Sequence, residues 1–204
     1  MNIAIIGAGN VGKALATSLT RAGHHVTLAA RNPDNARAAA QAVGATSAET
    51  NAAATTDAEV VILAVPFAAA GEAVAADIRD TVAGKTVIDV TNPIKPDFSG
   101  LATDGSSAAE EFQKLLPEAH VVKAFNTLFA SNQASPGAGI DGYVAADDGD
   151  AKQQVIGLIE SMGFSPVDVG PLSSARFLEG MAFINIGLNA QNGWSWTSAW
   201  KLER

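Results

Sequence analysis

Three glycines near the start of the chain and one arginine after its second strand carry the clearest chemical message. Gly7, Gly9 and Gly12 stand in the spacing G-x-G-x-x-G, within the run Gly7-Ala-Gly-Asn-Val-Gly12. The first glycine allows a tight turn, the second lets the backbone approach a pyrophosphate, and the third lets a helix pack close to a strand. The helix opening at Asn10 and Val11 then presents unpaired N–H groups and a partial positive charge to the phosphates. Arg31, with Asn32 beside it, follows the second strand, where an NAD-selective fold would place a carboxylate. A guanidinium holds a ribose 2′-phosphate through paired, charge-assisted hydrogen bonds, and a carboxylate would repel it. NADP(H) is the expected cofactor. Asn32 also suits the cap of a helix starting at Pro33, a role compatible with phosphate binding.

Acid–base chemistry is harder to find. His24, His25 and His120 fall at the starts of strands, opposite the end where such folds bind ligands. Tyr143 is the only tyrosine and has no lysine four residues on. Asp147-Asp148-Gly149-Asp150 lacks the spacing of a calcium loop and reads as a helix cap. Lys123 lies within a strand on the alternation Val121, Lys123, Phe125, and can be read as a catalytic lysine or as a buried pairing partner. No dedicated catalytic residue and no metal site emerge. Reducing a carbonyl or imine calls for a proton donor beside the hydride acceptor. Hydride passed between two stacked rings needs chiefly alignment.

Composition narrows the classes. The 204 residues, 48% hydrophobic and 17% charged, suit one domain over 1–204 with a good-sized core. A formal net charge of −8 argues against nucleic acid and anionic membranes. The chain has no cysteine, hence no disulfide and no thiolate chemistry. The start lacks a basic leader, and the apolar stretch from Val60 to Ala70 is interrupted by Pro66 and too short to span a bilayer. A cytoplasmic protein is expected.

The elements that must position these residues alternate. Apolar runs at 3–6, 25–30, 60–65, 85–90, 120–125, 142–146 and 167–169 read as strands. Helices are expected along Val11, Leu15 and Leu19 until Gly23, from Pro33 to Gly44 and from Pro66 towards Asp80. Others are expected from a cap at Ser106 or Ser107 through Leu116, along Val155 to Met162 until Gly163, and after Pro171; Glu110, three residues beyond Ser107, completes a capping box. Residues 45–56 read as a short helix or loop, and 95–105 as a loop. This alternation predicts an α/β, Rossmann-type, doubly wound parallel sheet. Ligands bind such sheets outside the carboxyl ends of the strands. That singles out Arg31-Asn32, Pro66-Phe67, Thr91-Asn92-Pro93-Ile94 and Asn126-Thr127-Leu128. The tail holds Trp194, Trp196 and Trp200, which suit either a stacking wall or packing in the core or a dimer.

Together these segments resemble the coenzyme F420-dependent NADP oxidoreductase family, and the cytoplasmic reductase domain of six-transmembrane metalloreductases. The carrying residues are Gly7 to Lys13, Arg31, Ser107-Ala-Ala-Glu110, Val122-Lys-Ala-Phe-Asn-Thr127, and Gly163 to Arg176 with Glu179. The resemblance implies that the loop from Asn126 to Ala130 meets the nicotinamide and that Phe67, Asn92 and Ile94 line the cofactor. It implies a second-substrate pocket at Asn126, Leu128 and Arg176, on a helix and tail from about residue 171 that wall the acceptor side. The implied second substrate is coenzyme F420 or a flavin. The chain is also too short for the long helical substrate domain that hydroxyacid dehydrogenases append to this fold, so the substrate is expected on the dinucleotide domain itself or at the seam of a homodimer. Archaeal members carry His in place of Asn126 and polar residues in place of Gly180 and Ala182. The expected activity is NADPH-dependent hydride transfer to a flat ring; a reductase of a small imine or carbonyl and a non-catalytic NADP-binding sensor stand as alternatives.

Overall fold

The computed structural model describes residues 1–137 and 139–203, the side chains of residues 68–70 excepted. Its eight described strands are β1 (Asn2–Ile6), β2 (His25–Ala29), β3 (Thr46–Ser47), β4 (Val60–Leu63), β5 (Thr86–Asp89), β6 (His120–Ala124), β7 (Asp141–Ala146) and β8 (Ser165–Asp168). They form one sheet in the order β3-β2-β1-β4-β5-β6-β7-β8. The order reverses between β1 and β4, so a crevice opens where the connections leave in opposite directions.

Eight described α-helices cover the faces: α1 (Asn10–Arg21), α2 (Pro33–Val43), α3 (Asn51–Thr55), α4 (Phe67–Ile78), α5 (Ala108–Leu115), α6 (Ala130–Ala134), α7 (Gly149–Ser161) and α8 (Ala175–Asn192). Alternate residues of each central strand enter opposite cores. Ile3, Ile5, Ile62 and Ile88 pack with Leu15 and Leu19 of α1, Ala39 of α2 and Leu158 of α7. Ala4, Ile6, Leu63 and Val87 pack with Ile78 of α4 and Phe112 of α5. Burial on both sides explains why these strands read as continuous apolar runs.

The helix ends follow local chemistry. Asn32 caps α2 by accepting from Asp34 N at 3.0 Å, and Gly44 closes that helix at φ +70°. Asp148 caps α7, accepting from Ala151 N at 2.8 Å, which settles the acidic run as a cap. Ser107 accepts from Glu110 N at 3.2 Å, as the capping pattern predicts. Glu110, however, accepts from the Ser107 hydroxyl at 2.8 Å, and its carboxylate also takes Arg176.

Three features depart from the sequence reading. Residues 46–47, expected in a helix or loop, form the edge strand β3, a pairing too short to leave a period-two pattern. The sheet is mostly parallel, but β7 runs antiparallel to β6. A parallel return needs a crossover across the face of the sheet. The segment after β6 is instead spent on the five-residue α6, which packs on α1. Phe125 also leaves the expected alternation. The strand ends at Ala124, and Phe125 adopts φ +61°, turning its ring into the core with Val122 and Ala124.

Candidate functional site

The glycine loop divides its labour in a way that tests whether a ligand is expected there. A Cβ built on Gly7 would meet Ala64 O at 2.2 Å, and one on Gly12 would meet Gly7 O at 1.9 Å. Both glycines are therefore required by the protein's own packing. A Cβ on Gly9 meets nothing within 4 Å, and its φ of −77° is open to any residue. Nothing among the described residues requires glycine at position 9, but a pyrophosphate lying on the N-terminus of α1 would. The residues fit the cofactor.

Two cavities run from this loop along the strand ends. One, of about 720 Å³, is lined by Gly7, Gly9, Arg31, Pro66 and, from the other wall, Thr50, Asn51 and Asp77. Its size and position suit the adenosine half of a dinucleotide. Arg31 is exposed there, whereas Arg37, the other arginine of this corner, is engaged by Asp34 and Glu49. The second cavity, of about 320 Å³, is bounded by Asn10, Val11, Pro66, Phe67, Thr91 and Asn92. Phe67 is held edge-on against Phe112, ring centroids 5.3 Å apart.

A third, inner cavity of about 170 Å³ lies beyond Asn92. It is lined by Val11, Asn92, Asn126, Thr127, Leu128, Phe129, Ala130, Ala182, Asn185 and Ile186. Asn92 and Asn126 are locked together: Asn126 Nδ2 donates to Asn92 Oδ1 at 2.9 Å, and Asn92 Nδ2 donates to Asn126 O at 2.9 Å. Asn126 Nδ2 also reaches Leu178 O of α8 at 3.0 Å. Gln133 braces the turn below, donating to Phe125 O at 3.0 Å and Leu128 O at 3.1 Å. Asn126 Oδ1 and Thr127 Oγ1 find no protein partner among the described residues, which leaves polar capacity in the lining of this cavity.

Most residues singled out by sequence thus converge on one crevice, but Gly12, Asn32, Pro93, Ile94 and Arg176 are not among those that line it. Ile94 bridges to Leu101 at the mouth of the 95–105 loop. Asn32 is the cap of α2. Arg176 is committed to Glu110, with Nε to Oε2 at 2.8 Å, and this guanidinium holds the Glu110 carboxyl below its usual range. Its pair ties α8 to α5 and keeps it off the inner cavity. From α8 the inner cavity is lined instead by Ala182, Asn185 and Ile186, at i, i+3 and i+4 on one face of the helix. That spacing is readable in sequence once the helix is known to lie over the site. Thr50 and Asn51, also missed, follow the unrecognised β3.

The tryptophans divide. Trp200 donates to Met181 O at 3.2 Å and packs beside Tyr143 and Leu178. Trp196 meets Phe129 edge-on, centroids 5.4 Å apart, at the rim of the inner cavity. The histidines stay at the far end, with His24 on Ser161 and His120 beside Asp148.

Lys123 proves to be a pairing residue, fully buried between Asp89 and Glu179, its Nζ 2.8 Å from each carboxylate. Burial pushes the Glu179 carboxyl above its usual range, against the pull of Lys123. No group of three or more His, Cys, Asp or Glu that could hold a metal occurs among the described residues. No described helix is long and apolar enough to cross a membrane.

With this geometry in hand, the comparisons with known proteins are consistent. Residues 2–93 match the model of a family described as NADP oxidoreductase, coenzyme F420-dependent. The human metalloreductase STEAP2 is 31% identical over 183 residues, 89% of this chain and 36% of that protein. The chain thus spans about a third of the length of the curated relatives it matches. A crystal structure from Arthrobacter sp., described as that of a candidate F420-dependent NADP reductase, superposes with a TM-score of 0.91 at 29% identity, covering 100% of both chains. The hypothetical protein SMa0349 from Sinorhizobium meliloti is 34% identical, with a TM-score of 0.77 over 86% of this chain and 88% of that one. Residues 2–93 thus carry the likeness to the family described as NADP oxidoreductase, coenzyme F420-dependent, and the chain as a whole has the fold of the Arthrobacter structure described as a candidate reductase of that kind.

Proposed function

We propose that this chain is an oxidoreductase that passes a hydride between NADP(H) and a flat ring acceptor, coenzyme F420 or a flavin. The observation that carries the reading is the lining of the inner cavity, where none of the residues titrates. The nearest ionisable groups, Asp89, Lys123 and Glu179, are fully buried and engaged with one another. A carbonyl or imine would find no titrating acid among these lining residues, whereas a ring needs only to be stacked in register. When bound, NADPH supplies the hydride from its nicotinamide. Gly9 and the start of α1 hold the pyrophosphate, Arg31 takes the 2′-phosphate, and Asn92, Asn126 and Thr127 orient the carboxamide. Leu128 and the 182–186 face of α8 press the acceptor ring against the reacting face and exclude water. The chain acts in this reading as one cytoplasmic domain over 1–204, with α8 and the tail as acceptor wall.

A homodimer suits the outer face of α8. Phe177, Ile184 and Leu188 are 75%, 54% and 37% exposed, in a helix without a charged residue after Glu179. Ile184 and Leu188 border a groove of about 570 Å³ with Phe98 and Trp196. A second copy would bury this face; a monomeric mass in sedimentation equilibrium would refute it.

The reaction is tested with NADPH carrying deuterium on one face of nicotinamide C4, offered F420, then FMN and riboflavin, then small imines. Deuterium is expected on the acceptor ring, with a strong preference for one face. NADPH that binds yet stays unoxidised by every acceptor would make the protein an NADP-binding sensor. Reduction of an imine or carbonyl alone, with a pH profile requiring a protonated group, would establish a reductase of that class instead.

A further inference from the structure

Below the inner cavity lies a group of charges that neither nucleotide binding nor hydride transfer uses. Lys123 on β6 is 0% exposed and donates to Asp89 Oδ2 at 2.8 Å, Thr91 O at 2.6 Å and Glu179 Oε1 at 2.8 Å. All three of its protons are thereby placed. Asp89 and Lys123 are register partners on adjacent strands, and Asp89 Oδ1 accepts from Thr91 N at 2.8 Å. Glu179 comes from α8 and also accepts from Ala108 N, at the first turn of α5, at 2.9 Å.

Burying three charges rarely stabilises a fold more than apolar side chains of the same volume would. What a charged, hydrogen-bonded group does supply is direction. Here every partner of Lys123 belongs to a segment that borders the crevice. Thr91 precedes Asn92, on the cofactor side. Glu179 follows Leu178, whose carbonyl accepts from Asn126. One turn further along α8 stand Ala182, Asn185 and Ile186, on the acceptor side.

We propose that Lys123 and Glu179 are positioning residues that lock α8 to the ends of β5 and β6, so that cofactor contact at Asn92 and Asn126 sets the acceptor wall. This inference rests on the assignment of the two sides given above. The lock transmits position rather than charge. It fixes the gap into which the acceptor ring must fit, and a misplacement of about 1 Å in such a gap can cost about a hundredfold in rate.

The test compares Glu179→Leu with Glu179→Gln. The leucine variant leaves a balanced Lys123–Asp89 pair, which preserves folding. The glutamine variant keeps an oxygen for Lys123 and Ala108. In the leucine variant, single-turnover hydride transfer is expected to fall about tenfold to a hundredfold, with NADPH affinity within about twofold of wild type. The glutamine variant should stay within about threefold. Hydrogen exchange gives a readout that needs no acceptor. NADPH should slow exchange of the α8 amides from 180 to 187 in the wild type and in Glu179→Gln, but not in Glu179→Leu. Equal protection of α8 in all three, a wild-type transfer rate in a folded leucine variant, or a glutamine variant as slow as the leucine one would each overturn the proposal. A wild type that transfers hydride to no ring would instead defeat the proposed reaction, with the exchange measurement still deciding the lock.

Discussion

The two sides of the crevice are built on different principles. On the proposed nucleotide side, recognition rests on backbone geometry and one charge: three glycines, a helix start and one arginine, all within the first 31 residues. On the proposed acceptor side, neutral side chains from the turn after β6, the start of α6 and α8, drawn from residues 126–130 and 182–186, form a small wall. A phosphate demands donors and positive potential in fixed directions, so few sequences can hold one. A flat ring demands apolar area and alignment, which many sequences can supply. In the proposed reading the first side therefore selects one cofactor, and the second leaves room for several acceptors.

The largest expected effect comes from filling the space over Gly9. A Cβ at this position has no described protein atom within 4 Å, so the two methyl groups of Gly9→Val should leave the fold intact while excluding the pyrophosphate. NADPH affinity should fall by more than about a hundredfold with the melting midpoint unchanged within about 3 °C. Titration by fluorescence and a thermal scan check both. Unchanged affinity in a folded Gly9→Val protein would erase the division of labour among the three glycines. By contrast, Gly12→Ala forces a contact at 1.9 Å and belongs to folding rather than to binding.

A smaller effect is expected at Arg31. Removing a charge-assisted contact to phosphate costs about 1.5–3 kcal/mol, on the order of tenfold to a hundredfold in affinity. Arg31→Ser should lose that much for NADPH and almost nothing for NADH, which carries no 2′-phosphate. The pair of dissociation constants is the measurement. A wild type that binds NADH as tightly as NADPH, or a variant weakened equally for both, would remove the arginine from the cofactor side.

The same contrast explains what could be read from the sequence. The glycine loop, the caps at Asn32 and Asp148 and the strands buried on both faces each follow from local rules, so they were legible residue by residue. The short β3 was not, because two residues carry no periodicity, and with it went Thr50 and Asn51. The reversal of β7 was hidden because a strand reads alike in either direction. Phe125 escaped because a bulky side chain at positive φ contradicts its own propensity, and only the packing around it makes the turn. Arg176 illustrates the acceptor side: its family motif pointed to the pocket, and its charge went to Glu110. Charges are satisfied by whichever partner the fold brings within reach, and that partner lies 66 residues away in sequence.

Leu128 stands on the border between the two sides, and its substitution decides to which it belongs. It lines the inner cavity and is only 5% exposed, packed into the core beneath α1. Leu128→Ala should therefore lower stability by about 2–5 kcal/mol, as deletion of a buried side chain does. If Leu128 aligns the acceptor, transfer should slow by about tenfold at saturating NADPH while the NADPH dissociation constant stays within about twofold. Leu128→Met conserves volume and should keep both rate and stability near wild type. Single-turnover transfer and equilibrium titration of folded protein separate these quantities. A fall in NADPH affinity matching the fall in rate would place Leu128 on the cofactor side, and the boundary would then run along α8 alone.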